Sequence, residues 1–174
     1  MVIFAIAGVG CSAQHEPSGP TSAPSVAPPR YGLAAERAVV ALGRLRPVYS
    51  GQAAVHVSPS IIPTACSWSD GTICLSTGLL RILDDDEIAA AIAHELGHLT
   101  GGPGDRPQQT HALGGGSYED REQQADAIAV VILRRSGISP TVLARVLTIV
   151  RDAPQTRAEL RPAITQRIAL LPKE

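Results

Sequence analysis

Apolar and polar positions along this chain change period several times, and each change marks an element. From Tyr31 to Leu45 the apolar residues recur at helical spacing, which predicts an amphipathic helix. Residues 53–57, Ala-Ala-Val-His-Val, alternate with a period of two. That predicts a strand with Val55 and Val57 on one face and His56 turned to solvent. Cys66 and Cys74 then flank Ser67-Trp68-Ser69-Asp70-Gly71-Thr72-Ile73, which reads as a β-hairpin with Asp-Gly in its turn and Trp68 packing on it. Helical spacing returns at Ile88, Ile92, Glu95, Leu96 and Leu99, with alanines between them that let the helix sit deep against its neighbours. Its start is marked by an acidic first turn and a capping box of Asp84 with Glu87, and Gly101-Gly102-Pro103-Gly104 ends it. A glycine-rich connection, 101–117, leads to a second helical run from Ser117 through Leu133. Further helices are expected near 140–152 and 163–171. The sum is an α+β domain, mostly helical, with a small sheet that contains the hairpin.

Composition narrows the class. A chain of 174 residues with 44% hydrophobic content supports one core, and 3% aromatic content makes that core Ala/Val/Ile/Leu-packed. A net charge of −1, with no basic run interleaved with aromatics, argues against nucleic acid as a partner. Residues 12–30 are rich in Pro and Ser and read as a semi-extended tether, which leaves 31–174 as the folded domain. Ahead of the tether, Val2 to Val9 is apolar but far short of the roughly 20 residues a membrane span needs. Residues 1–11 therefore read as a signal peptide ending in Gly8-Val9-Gly10-Cys11, with Cys11 as a lipidation site. On that reading the protein is lipid-anchored, without a transmembrane helix, in an extracytoplasmic bacterial envelope. An oxidised Cys66–Cys74 pair across the hairpin suits the same compartment.

The chemistry lies in His94-Glu95-Leu96-Gly97-His98. On a helix the two histidines stand one turn apart on one face, where two imidazoles can take two corners of a zinc tetrahedron. Glu95 points aside, towards a water at the metal rather than the metal itself. A third ligand is needed. The metzincin pattern fails, because position 104 is glycine and the single Met is Met1. Glu122 and Asp126 are spaced i and i+4, so one carboxylate can bind the metal while the other accepts the outer N–H of a ligand histidine.

Four linked blocks then resemble a known family. Ser76-Thr77-Gly78-Leu79-Leu80, Asp86-Glu87-Ile88-Ala89-Ala90, the histidine motif and Arg121-Glu122-Gln123-Gln124-Ala125-Asp126 are similar to the gluzincin peptidases that include the HtpX heat-shock protease and the CAAX-processing endopeptidase. The resemblance covers about residues 50–170. It implies a zincin-like fold with the small sheet beside the active-site helix, and one zinc held by His94, His98 and Glu122. It also implies Glu95 as general base, Asp126 orienting His94, and a peptide or protein substrate paired along an edge strand. The family's C-terminal His-Pro and Arg-Ile appear here as Arg161-Pro162 and Arg167-Ile168, so the usual histidine is replaced. Arg161 either takes its place in the cleft or caps a helix, and His111 reads as a loop histidine. The expected activity is zinc-dependent endopeptidase. The alternative is a lipid-anchored envelope binding or assembly factor that keeps the metal site with little general proteolysis.

Overall fold

The structure, a computed structural model, describes residues 2–4, 32–100 and 118–173. Cys11, the 12–30 tether and His111 lie outside the described residues. Four strands form one sheet in the order β1-β3-β4-β2: β1 Val2–Phe4, β2 Ala54–Ser58, β3 Ala65–Ser67 and β4 Thr72–Ser76. β3 and β4 are the expected hairpin, antiparallel, with Cys66 opposite Cys74. Gly71 sits at φ +88°, the left-handed conformation its turn position requires, and Asp70 accepts a hydrogen bond from Thr72 N at 2.9 Å. β2 is the predicted strand but runs parallel to β4, pairing His56 with Cys74, and the outer edge of β3 carries β1 in antiparallel register.

Val55 and Val57 lie beside Ile73 and Leu75, and this face of the sheet looks into the core. The helices are α1 Gly32–Leu45, α2 Thr77–Ile82, α3 Asp85–Thr100, α4 Tyr118–Arg135, α5 Thr141–Asp152 and α6 Arg161–Leu170, with a 3₁₀ turn at Ala158–Leu160. None of the described helices is long and apolar enough to cross a membrane.

α3 is the axis of the domain, packed by α1, α4, α5 and β3, and every residue from Glu87 to Gly97 is buried. Its start is built as the sequence predicts. Asp84 Oδ1 accepts from Glu87 N at 2.8 Å and Glu87 Oε2 accepts from Asp84 N at 2.9 Å. Arg37 of α1 fixes the approach, donating to the carbonyls of Leu80 and Leu83, both at 2.8 Å, and to Asp85 at 2.7 Å. α2 starts on the Ser76 hydroxyl, which accepts from Leu79 N at 3.1 Å. Ile88, Ile92 and Leu96 are fully buried, so the motif is anchored by apolar contacts along the same helix.

Candidate metal centre

His94 and His98 project from α3 towards α4. Their Nε2 atoms are 3.1 Å apart, with the rings edge-on at 86°. Glu122 completes the group, its Oε2 3.4 Å from His94 Nε2 and its Oε1 3.3 Å from His98 Nε2. Ligand bonds of about 2.0–2.1 Å in a tetrahedron put donor atoms about 3.3 Å apart. The three side chains therefore stand at the spacing that one zinc-sized ion requires, and among the described residues they form the one such cluster. Glu122 Oε1 and both carboxylate oxygens of Glu95 are buried without a hydrogen-bond partner, which is a costly arrangement unless a cation or its waters satisfy them. The donor set fits zinc.

The closeness of α3 and α4 depends on Gly97. A methyl there would lie 2.5 Å from the Ala125 carbonyl oxygen and 2.8 Å from the Ala125 Cα. With no side chain at 97 the two backbones meet, and Glu122 and Asp126 face the histidines.

Asp126 Oδ1 is 2.8 Å from His94 Nδ1, which leaves Nε2 directed at the ligand position. Arg167 of α6 lies behind both carboxylates. It donates to Asp126 through Nε and Nη2, each at 2.8 Å, and to Glu122 Oε2 through Nη1 at 2.7 Å. Arg161, by contrast, is exposed at the start of α6, where Leu160 is the cap residue and no side chain caps the helix. In the sequence Arg167 has no expected role beyond its place in the Arg167-Ile168 likeness to the family pattern. Tyr118 is the first residue of α4. Its hydroxyl reaches Glu122 and lies in the field of Glu95.

The electrostatics follow from burial and pairing. Burial alone would lower His94, but its bonds to Asp126 and Glu122 outweigh that and raise it to about 9. Burial lowers His98. Burial raises Glu95 to about 7, against the opposing pull of His94 and of Ser67 on β3, which approaches the same carboxyl. Against their burial, Glu122 is held well below the usual carboxylate range by the two histidines, and Asp126 is held down by Arg167 and His94. Burial and then Glu122 push Tyr118 up to about 12.

Residues 48–104 match the model of peptidase family M48. That match takes in about a third of the chain. A related protein, the protease HtpX of Pseudoalteromonas atlantica, is 35% identical over 48 residues, which is 28% of this chain and 17% of that protein. The aligned part thus spans less than a fifth of that relative. The family match covers β2, the hairpin, α2 and the whole of α3, and it stops before the helix that carries Glu122.

Outside the centre, Cys66 and Cys74 are both buried thiols. The bond to Cys66 pulls Cys74 down to about 6 against its burial, helped by Ser58 and His56. His56 is exposed on β2, as its alternation predicts, and Trp68 is half-buried on the hairpin.

Proposed function

We propose that this chain is a zinc-dependent endopeptidase of the M48 type that hydrolyses peptide bonds, with His94, His98 and Glu122 holding one zinc and Glu95 as general base. The observation that carries this reading is the triangle of ligand atoms, 3.1 to 3.4 Å on a side, with the buried and unpartnered Glu95 carboxylate next to it. When bound, zinc supplies a Lewis acid that polarises a carbonyl and makes water a nucleophile at neutral pH.

The chain's own residues do the rest. Glu95 takes the proton from the attacking water and passes it to the leaving amine. Asp126 keeps the His94 ring in one orientation, and Arg167 holds Asp126 and Glu122 in place. β3 supplies a docking edge for an extended substrate, because its last residue, Ser67, approaches Glu95. The pairing of Val2–Phe4 on that edge supports this, since it is the kind of strand addition an extended peptide makes. As part of the same reading, a lipid on Cys11 holds the protein to a membrane outside the cytoplasm. Mass spectrometry of the membrane fraction tests this, and an unmodified Cys11 there would refute it.

The decisive comparison is wild type against Glu95→Gln on casein and a fluorogenic peptide library, with zinc measured in both. The variant should keep its zinc and lose about 10²–10⁴ in rate, the usual contribution of a general base. Equal cleavage by the two proteins would remove Glu95 from the role. A zinc-loaded wild type that cleaves nothing would favour a binding factor instead.

A further inference from the structure

We propose that Val2–Phe4 is a built-in blocking strand, holding the β3 edge that an extended substrate needs until the segment is displaced or removed. The assignment rests on the peptidase reading above and adds a regulator to the same site. The sheet order β1-β3-β4-β2 has two ends. At one of them β2 packs against α1. At the other β3 packs against α3, the helix that carries His94, Glu95 and His98. The β3 end is thus the one beside the metal centre, and β1 lies along it.

The register says which backbone groups β1 covers. Cys66 and Cys74 face each other as a hydrogen-bonded pair, flanked by bonds from Trp68 N to Thr72 O and from Ser76 N to Thr64 O. In an antiparallel ladder the N–H and C=O groups of successive residues point to opposite sides. Cys66 therefore turns its backbone groups to β4, and Ala65 and Ser67 turn theirs the other way. Val2 stands opposite Ser67 and Phe4 opposite Ala65, so β1 takes up these outward groups. They are the same groups through which strand addition gives an extended peptide its affinity. A substrate and β1 cannot both have them.

Attachment to the same chain makes β1 an effective competitor. A tethered segment meets its own docking edge at an effective concentration on the order of mM, whatever the concentration of the protein. Substrates with KM values of about 1 μM–1 mM meet that competition directly. Apparent affinity falls with the fraction of molecules whose edge is open, while a substrate that has docked reacts at the same kcat. On the export reading of residues 1–11, cleavage ahead of Cys11 carries Val2–Phe4 away. The edge then opens only as the protein reaches its compartment, and the unprocessed chain is held back from its neighbours in the cytoplasm.

The test is Phe4→Pro in the full chain, with retention of residues 1–11 confirmed by mass. Proline removes the N–H that pairs with Ala65 and leaves the rest of the protein unaltered. Val2→Pro does the same at the Ser67 pair, and Phe4→Val, which keeps the N–H, is the control. Both proline variants should lower KM about tenfold with kcat unchanged, as expected if about nine in ten wild-type molecules hold β1 in place. Hydrogen exchange at the Ala65 and Ser67 amides, measured without substrate, should be slow in the wild type and in Phe4→Val and fast in both proline variants. Unchanged exchange, or a KM within twofold of that of an active wild type, overturns the blocking role and leaves the peptidase reading standing. A fall in kcat at constant KM also overturns it, because β1 would then be part of the site's framework. If zinc-loaded wild type and proline variants all cleave nothing across a broad library, the peptidase reading fails, and the blocking role with it.

Discussion

Arg167 holds Asp126 at two points, Nε to Oδ2 and Nη2 to Oδ1, both at 2.8 Å, so that a residue of α6 fixes the carboxylate that orients His94. The third arm of the same guanidinium holds Glu122, so one planar group sets the positions of a ligand and of a ligand's support. Replacing Arg167 with Met would leave two buried carboxylates facing each other without their counter-charge. The expected cost is about 3–5 kcal/mol of stability, as for removing one partner of a buried pair. Arg167→Lys keeps the charge but not the fork, so it should fold and still hold zinc about 10–100-fold more weakly. Urea melts and a chelator competition check both. Wild-type zinc affinity in the lysine variant would show that the fork is dispensable.

Zinc uptake should release protons. In the metal-free protein His94 is raised to about 9, so the ring is charged at neutral pH, whereas His98 is lowered by burial and is already neutral. A ligand imidazole must be neutral, so binding displaces the His94 proton. Because the raised group binds its proton below about 9, apparent zinc affinity increases as pH rises towards that value, by up to about tenfold per unit. Calorimetry in buffers of different ionisation enthalpy should report about one proton released per zinc at neutral pH. No release would contradict the pairing of His94 with Asp126.

The hairpin thiols should oxidise as a pair. Trp68 N donates to Thr72 O and Ser76 N to Thr64 O, both at 2.9 Å, which makes Cys66 and Cys74 a hydrogen-bonded cross-strand pair. Such pairs have Cα atoms about 5.5 Å apart, inside the range a disulfide spans. With Cys74 lowered to about 6, it is the attacking thiolate. Peptide mapping of protein treated with a small-molecule disulfide should find the two linked and two hydrogens lighter. Independent labelling of both under those conditions would refute the pairing.

The elements with strong local signals were legible in the sequence, and the long-range contacts were not. The capping box at Asp84 and Glu87, the Asp-Gly turn and the i, i+4 pairs His94/His98 and Glu122/Asp126 each depend on neighbours within four residues. The parallel pairing of β2 with β4 depends instead on how the intervening chain folds back, which alternation alone does not encode. Arg167 reaches its partners from 41 and 45 residues away, and nothing in its own helical context distinguishes it from a solvent arginine. Val2–Phe4 reads as part of a leader because a short apolar run looks the same whether it precedes a cleavage site or pairs as an edge strand.

Gly97 gives the site a dimension that none of its ligands controls. The distance between the histidine pair and Glu122 is a helix-to-helix spacing, set where α3 touches the backbone of Ala125. Calipers behave this way: the jaws carry the contact surfaces, but the stop between them decides what fits. The width of the cage is therefore set by a residue with no side chain, and a single added methyl at Gly97 would force α3 and α4 to shift while leaving every donor atom in the chain.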